Sequence, residues 1–424
     1  MSQPASVEPS VSVSKDGQYS FHQGLVIRAL ERMQLGYLRL VLPDGSVRDF
    51  GKPGAAVSAE MRVRDPIFFQ KCLLYGDVGF GEAYVDGDWE TPSIERVIAW
   101  AILNVDHSPA MSGSKVRSAL FNVLKIANRV QHWLRPNSVT TSRRNISEHY
   151  DLGNDFYRLW LDPTMTYSSA YFTVPGQSLE AAQVAKYDEL CQQLQLKPSD
   201  HLLEIGSGWG GFSIHAARNY GCRITTVTIS EEQFKYAKAR FQSEGLSERI
   251  TIELMDYRHL TGSYDKVASI EMMEALGDRY LETYFAKIHE VLKPDGLVGL
   301  QYITVPDSRH AELRKGVDWI QKHIFPGSLL LSVGRVNQAL NRTGDLYLHH
   351  FEDLGASYAK TLHLWWETFN GQLESVKALG FDERFIRKWN YYLQYCEAAF
   401  ASRNISVVQA IYTRPNNGKL HVEY

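Results

Sequence analysis

An acidic residue and a run of glycines stand together at the end of an apolar segment. Residues 203–211 read Leu-Glu-Ile-Gly-Ser-Gly-Trp-Gly-Gly, and this run lies between a strand-like and a helix-like pattern. Glycines let the backbone come close to a ligand, and the start of a helix offers free N–H groups. The Gly-x-x-x-x-Gly-Lys pattern of a nucleotide-phosphate loop is absent. The run therefore predicts a ligand-binding loop of another kind.

The position of the acid favours S-adenosylmethionine as the ligand. A dinucleotide site has an acid about 20 residues after its glycines, but here the next strand ends in Val-Thr-Ile-Ser at residues 227–230. The acid precedes the glycines instead, at Glu204, which is how S-adenosylmethionine enzymes usually begin. Asp256 follows a later strand and is placed to contact the adenine. Four residues of the loop complete this predicted cofactor site: Gly206, Gly208, Trp209 and Gly210.

Strand-like and helix-like patterns alternate through the second half of the chain. Apolar runs predict strands at residues 201–205, 223–229, 250–254, 266–270 and 297–303. Helical patterns fall between them, at residues 211–220 and 231–244. Alternating β and α elements indicate a parallel sheet covered on both faces. We therefore predict an α/β fold with a doubly wound, mostly parallel, seven-stranded methyltransferase sheet.

The first half of the chain has a different texture. Residues 1–15 are polar and are expected to be disordered, and residues 16–105 predict a small N-terminal α+β domain. Residues 106–144 predict a basic amphipathic linker, because residues 115–135 contain basic but no acidic side chains. Such a helix either packs onto the protein or lies on an anionic membrane surface. Residues 145–424 are assigned to the S-adenosylmethionine-dependent methyltransferase domain.

The composition excludes several classes of protein. The chain has 424 residues and a formal net charge of −3, which argues against a generally basic nucleic-acid binder. Its 4 cysteines are far apart, so neither a disulfide framework nor a metal site is expected. No apolar run reaches the length of a transmembrane helix, and the N-terminus lacks the features of a signal peptide. We expect a cytoplasmic protein.

Several sequence blocks together resemble the cyclopropane fatty acid synthase family. The resemblance covers residues 145–414 and extends more weakly through the N-terminal part. Mycolic acid modifying enzymes and plant alkaloid N-methyltransferases share several of the blocks. Besides the glycine loop, the blocks are residues 149–157, 165–172, 227–233, 269–277, 324–327, 355–358 and 395–400.

The resemblance implies a reaction and a set of site residues. In the family, a cis double bond attacks the methyl group of S-adenosylmethionine, and a bound bicarbonate removes a proton from the resulting cation to close a cyclopropane ring. His149 and Tyr150 would form a hinge or lid. The implied catalytic residues are Glu274, Tyr358, Ser169, Gln301 and Ile303. Further cofactor contacts are implied for Tyr167, Ser168, Thr228, Ile229, Gln233 and Tyr257.

Three positions depart from the best-known bacterial form of the family. Ser169 stands where cysteine is usual, and Ala275 and Gln301 replace histidines. A plant-like branch of the family also has the alanine and the glutamine. A serine hydroxyl can donate a hydrogen bond to bicarbonate, so we expect the anion site to survive.

The expected substrate is an unsaturated acyl chain of a phospholipid, reached by peripheral contact with an anionic membrane surface. Fatty acid C-methylation to methyl- or methylene-branched chains is the close alternative. Methylation of a small amine, and a non-catalytic lipid-binding protein, are the alternatives from other classes. No nucleic-acid partner is expected. The oligomeric state stays open, with a homodimer among the options.

Overall fold

The computed structural model describes residues 21–105, 152–314 and 316–420. The predictions of a disordered segment at 1–15 and of a basic linker at 106–144, and those for His149 and Tyr150, lie outside these residues. Within them, none of the helices combines the length and the apolar character that crossing a bilayer needs. The boundaries proposed for the four segments remain a prediction.

Residues 21–105, called the N-terminal part below, contain a small sheet and three helices. Strand β1 pairs antiparallel with β2 and parallel with β3, and β3 pairs antiparallel with β4, so the sheet has the order β2-β1-β3-β4. The prediction of a smaller α+β unit beside the main sheet agrees with this arrangement. The elements are α1 Phe21–Leu30, β1 Tyr37–Val41, β2 Val47–Gly51, β3 Ser58–Val63, α2 Ile67–Asp86, β4 Trp89–Glu90 and α3 Ile94–Leu103.

The second sheet has seven strands in the order β10-β11-β9-β8-β5-β6-β7. Only β11 runs antiparallel to its neighbours, so the predicted doubly wound, mostly parallel α/β fold is confirmed. All five predicted strands are present, with ends that differ by a few residues. The strands are β5 His201–Ile205, β6 Arg223–Thr228, β7 Ile250–Leu254, β8 Tyr264–Ile270, β9 Leu292–Thr304, β10 Tyr347–Asp353 and β11 Ser406–Thr413.

Helices cover both faces of this sheet. The side chains of Leu202 and Leu203 are fully buried, yet they belong to different hydrophobic clusters, because successive side chains of a strand point to opposite faces. The helices are α4 Asn154–Arg158, α5 Leu179–Gln193, α6 Gly211–Tyr220, α7 Glu231–Ser243, α8 Leu281–Val291, α9 Asp307–Leu313, α10 Trp319–His323, α11 Val333–Thr343, α12 Gly355–Gly371, α13 Leu373–Ala378 and α14 Glu383–Ala401.

The strand order changes direction between β5 and β8. From β5 the chain proceeds to β6 and β7 on one side, and it later returns to place β8 and β9 on the other. The loops that leave β5 and β8 therefore diverge and open a crevice at the carboxyl ends of these strands. Gly206 and Glu271 are the first residues after the two strands, so both lie at the crevice.

The N-terminal part packs directly on helix α14. The amide oxygen of Gln394 accepts hydrogen bonds from the backbone N–H groups of Ile94 at 2.8 Å and Glu95 at 3.2 Å. The guanidinium of Arg387 donates to the carbonyl oxygen of Tyr84 at 2.7 Å. Side chains from both parts form one continuous hydrophobic cluster, so the N-terminal part supports the helix.

Gly81 of α2 marks the tightest point of this packing. A Cβ atom added there would lie 2.8 Å from Cε1 of Tyr391 and would also collide with the indole of Trp319. Both aromatic side chains are buried, so they have little room to move away. Glycine is therefore required at this position for close contact between the helices.

We expect Gly81→Ala to lower the stability of the protein by ~1–3 kcal/mol, because overpacking forces buried side chains out of their preferred conformations. Gly24→Ala is the matched control, since it is the same change in a helix and a Cβ atom there would meet no other atom within 4 Å. Differential scanning fluorimetry should show a lower melting temperature for Gly81→Ala only. Equal melting temperatures for the two variants would contradict the packing argument.

Candidate active site

The glycine loop joins β5 to α6 with three residues in the left-handed region. Gly206, Gly208 and Gly210 have φ values of +99°, +48° and +88°. The N–H groups of Gly206 and Ser207 both donate to the carbonyl oxygen of Val227 at 3.0 Å, which ties the loop to the neighbouring strand. Residues with side chains rarely adopt such φ values, so the conformation of the loop depends on its glycines.

Glu204 lies on β5 beneath this loop and is buried. Its Oε2 accepts hydrogen bonds from the hydroxyls of Ser213 at 2.5 Å and Thr226 at 2.6 Å. Burial raises the pKa of Glu204 to about 7, although both hydrogen bonds counteract the shift. The side chain also lines the central cavity, where a charged carboxylate would attract the cationic part of a ligand.

Tyr167 and Ser168 approach the cavity from the segment before α5. The hydroxyl of Tyr167 lies 2.7 Å from that of Tyr392 on α14. Lys186 is fully buried and donates to the hydroxyl of Ser168 at 2.6 Å. Burial lowers the pKa of Lys186 to about 7. The ammonium group thus orients Ser168 at the wall of the cavity.

The ends of β6 and β7 supply the opposite wall. The hydroxyl of Thr228 donates to the side-chain oxygen of Gln233 at 3.0 Å. Asp256 accepts hydrogen bonds from the backbone N–H of Arg258 at 3.0 Å and from its Nε at 2.9 Å. Ile229 and Tyr257 complete this side of the cavity. All of these residues except Arg258 were predicted to contact the cofactor, and Asp256 was predicted to contact its adenine.

One cavity connects the glycine loop to the predicted catalytic residues. It has a volume of about 380 Å³, within the range of small-molecule sites. Glu274 and Tyr358 line the same cavity as the loop. Beyond them the wall is mostly apolar and aromatic, and it includes Ile303, Leu313, Ile320, Phe325, Leu329, Leu362, Tyr392, Tyr395, Phe400 and Ile405.

The carboxylate of Glu271 lies where donors from three parts of the chain converge. Its Oε1 accepts from the backbone N–H of Ser169 at 2.8 Å and from Nε2 of Gln301 at 2.7 Å. Its Oε2 accepts from the hydroxyl of Tyr358 at 2.9 Å. Burial raises the pKa of Glu271, while the charge of Lys186 and these hydrogen bonds counteract the shift. The donors favour the charged carboxylate.

The amide of Gln301 has a fixed orientation. Its oxygen accepts a hydrogen bond from Nε2 of Gln409 on β11 at 3.0 Å, and its nitrogen therefore points toward Glu271. The same Gln409 nitrogen also donates to the carbonyl oxygen of Lys186 at 3.1 Å. The glutamine that departs from the family's histidine is thus a donor to Glu271.

Glu274 occupies the short helical turn after β8, next to Glu271. Its Oε1 accepts the backbone N–H of Ile303 at 2.6 Å, whereas its buried Oε2 has no hydrogen-bond partner among the described residues. Burial, and then the charge of Glu271, raise the pKa of Glu274 to about 8. Two neighbouring carboxyls with different surroundings are typical of a catalytic site.

These contacts bear on the predicted bicarbonate. The resemblance assigned Ser169, Gln301 and Tyr358 to that anion, but all three donate to Glu271. A bicarbonate in that position would compete with the carboxylate for the same donors. The residues present therefore do not fit a bicarbonate ion there.

The chain matches the family model "Mycolic acid cyclopropane synthetase" over residues 137–410. The tuberculostearic acid methyltransferase UfaA1 of Mycobacterium tuberculosis is 37% identical over 390 residues, which are 88% of this chain and 86% of the relative. The chain belongs to the mycolic acid cyclopropane synthetase family. It is accordingly an S-adenosylmethionine-dependent methyltransferase.

Other members of the family agree with this assignment. The cyclopropane-fatty-acyl-phospholipid synthase of Escherichia coli K12 is 36% identical over 369 residues, or 86% of this chain and 90% of that one. The solved structure of the mycolic acid cyclopropane synthase CmaA1 with SAH and CTAB matches with a TM-score of 0.60 and 29% identity. That match covers 64% of this chain and 98% of the other.

The structure brings together nearly all of the predicted site residues of this family member. Gly210 is the exception among the predicted cofactor residues, because a Cβ atom there would meet Phe241 at 2.6 Å. It packs against α7 and does not line the cavity. The hydroxyl of Ser169 was expected to hold the anion, but it donates to the carbonyl oxygen of Ala170 at 2.9 Å. The backbone N–H, which any residue has, is the donor at this position.

Three residues of the site were missed from the sequence: Glu271, Lys186 and Gln409. Glu271 carried a signal, since it directly follows the apolar strand β8, and ligands bind at the carboxyl ends of parallel strands. Lys186 lies inside a helix and Gln409 inside a strand, where neither residue stands out. Their roles depend on residues that are distant in the sequence.

We expect the affinity for SAH to rise as the pH increases through about 7, the pKa of Glu204. Below that pH the carboxyl is neutral, and above it the charged form attracts the ligand's ammonium group. Isothermal titration calorimetry in buffers of different ionisation enthalpy should show proton release on binding. In Glu204→Gln the affinity should be lower and this pH dependence should disappear. An unchanged pH dependence in the variant would contradict the assignment.

Proposed function

We propose that the protein adds a one-carbon unit from S-adenosylmethionine to the cis double bond of an unsaturated phospholipid acyl chain and forms a cyclopropane ring. The observation that carries the proposal is the single cavity in which a glycine loop, an apolar aromatic wall and two buried carboxyls meet. A small polar substrate would need no such wall.

The residues around the glycine loop and at the ends of β6 and β7 are proposed to bind the cofactor. Glu204 and Asp256 offer carboxylates, and the loop around Gly206 and Gly208 admits the ligand close to the backbone. Tyr167 and Ser168 line the cavity on the side opposite the ends of β6 and β7. When bound, S-adenosylmethionine supplies an electrophilic methyl group.

The apolar and aromatic part of the cavity is proposed to hold the alkene and to protect the cation. Apolar side chains exclude water, which would otherwise add to a carbocation. The rings of Tyr358 and Phe400 are 4.4 Å apart, and such π-faces attract positive charge. Glu271 and Glu274 add negative charge at the same place, and a cation in the cavity favours their ionised forms.

The phospholipid and the contact with a membrane surface are finer proposals. The first rests on the relative named as a cyclopropane-fatty-acyl-phospholipid synthase, and the second follows because phospholipids reside in membranes. Bicarbonate, which the resemblance implies, is not part of the proposed mechanism, because its predicted ligands Ser169, Gln301 and Tyr358 donate to Glu271.

Methyl or methylene branching is a second candidate outcome. It is favoured by the similarity to a tuberculostearic acid methyltransferase. Both outcomes begin with the alkylation of the double bond. Ring closure follows when the new methyl group of the first-formed cation loses a proton, whereas a methylene branch requires a hydride shift between the two former alkene carbons before the methyl group loses its proton. A saturated methyl branch would in addition require a hydride donor that reduces the methylene group.

Incubation of the full chain with [methyl-¹³C]S-adenosylmethionine and vesicles of a cis-monounsaturated phosphatidylglycerol should label the acyl chain. We expect proton NMR of the extracted lipid to show ring CH₂ signals upfield of the alkyl signals. Olefinic CH₂ signals would instead establish a methylene branch. NMR is needed because the cyclopropane and methylene-branched products have equal mass. Vesicles of the saturated lipid are the control. Label transfer to small amines but not to lipid would refute the proposal.

We expect Glu274→Gln to lower turnover 10-fold or more, or roughly 1.4 kcal/mol or more of barrier. The amide keeps the shape of the side chain but removes negative charge from the site of the cation. Affinity for SAH should stay within about 3-fold of the wild type, because Glu274 is not among the residues proposed to bind the cofactor. Undiminished turnover would exclude Glu274 from the chemistry.

A further inference from the structure

We propose that the carboxylate of Glu271 is the base that accepts the proton when the ring closes, so that the protein carries in its own chain what a bound bicarbonate was predicted to supply. The inference rests on the proposed function, because it concerns the second step of that reaction. It assigns a catalytic role to a residue outside the set that the resemblance implied.

The hydrogen bonds of Glu271 leave one position open for a proton. An ionised carboxylate has about four lone-pair sites. Ser169 and Gln301 donate to Oε1, and Tyr358 donates to Oε2. None of the described residues donates to the second site on Oε2, and Glu271 lines the cavity. The carboxylate is anchored through three hydrogen bonds and keeps one lone pair for chemistry.

The three donors hold the carboxylate of Glu271 in a fixed position. Gln409 fixes the amide of Gln301, as described above, and burial raises the pKa of Tyr358 well above its usual value. The phenol therefore remains a donor over the working pH range. The donor at position 169 is a backbone group and cannot rotate away.

The backbone at Glu271 also indicates a functional requirement. Its φ of +48° lies in the left-handed region, which is unfavourable by roughly 1–2 kcal/mol for a residue with a side chain. The N–H of Glu271 donates to the carbonyl oxygen of Gln301 at 2.7 Å and holds this conformation. Such outliers are concentrated at active sites. Glycine would suit this backbone better, so the structure retains a carboxylate against the conformational preference.

The proposed step balances without a further reactant. The π electrons of the alkene form a bond to the methyl carbon while the bond between that carbon and the sulfonium sulfur breaks. The sulfur keeps the electron pair and leaves as SAH, and a cation remains on the acyl chain. One C–H bond of that methyl group then breaks, and its electron pair closes the ring. The proton goes to Oε2 of Glu271 and is released to solvent after the product leaves.

Glu271→Gly is the sharpest test, because it removes the carboxylate, frees its three donors and relaxes the backbone. We expect wild-type turnover to be unchanged in buffer freed of carbon dioxide. Glu271→Gly should lose 100-fold or more of its turnover and recover at least 10-fold with added bicarbonate or formate. ¹³C NMR should show saturable binding of bicarbonate to Glu271→Gly and none to the wild type, with or without a lipid substrate.

Two variants serve as controls. Glu271→Gln should be as impaired as Glu271→Gly but should not recover, because the amide fills the space of the carboxylate. Glu274→Gln should not recover either, since Glu271 still occupies the donors. Retained SAH affinity in all three variants shows that the cofactor site is intact.

Several results would overturn the inference: bicarbonate dependence of the wild type, full activity of Glu271→Gly without an added anion, or saturable bicarbonate binding to the wild type. A wild-type product with a hydroxyl beside the new methyl would also overturn it, since Glu271 would then direct water onto the cation. If the wild type modifies no lipid, the proposed function fails. The NMR comparison would still decide whether Glu271 occupies an anion site.

Discussion

A buried negative charge beside an apolar cavity is the constraint around which this active site is organised. Removing a carboxylate from water costs several kcal/mol unless hydrogen bonds and opposite charge replace the solvent. The three donors and the nearby ammonium group of Lys186 provide that replacement for Glu271. In the proposed mechanism, this charge compensates the cation that forms between the apolar walls, where an uncompensated cation would be too costly.

The architecture explains how the necessary groups reach one point. The crevice between β5 and β8 places the glycine loop and the two glutamates at the same edge of the sheet. Helix α14 then covers the cavity with aromatic side chains. The N-terminal part holds α14 through Gln394 and Arg387. It therefore contributes to the shape of the cavity, although none of residues 21–105 lines it.

The departures from the best-known bacterial form are consistent with one another. A glutamine at position 301 presents an amide donor to Glu271, and its orientation is fixed from behind by Gln409. Serine in place of cysteine at position 169 has little effect on the donors, because the backbone N–H makes the contact. At both positions, the acceptor is the side-chain carboxylate of Glu271.

The sequence by itself determined the class of the fold and the position of the glycine loop. Strand and helix periodicity are local, and so are the glycines whose φ values build the turn, so both could be predicted from short segments. Glu204, Gly206 and Asp256 were found in this way. The sequence could not show whether the hydroxyl or the backbone N–H of Ser169 donates to the site. The residue type is known from the sequence, but the atom that makes the contact depends on the fold.

Only the tertiary structure revealed the hydrogen-bond partners of Glu271. Its partners Ser169, Gln301 and Tyr358 lie 102, 30 and 87 positions away along the chain. No periodicity or motif records a meeting of that kind, because it results from packing three separate elements against the end of β8. The sequence placed an acid at the edge of the sheet, and the fold surrounded it with the donors that make it an anchored carboxylate.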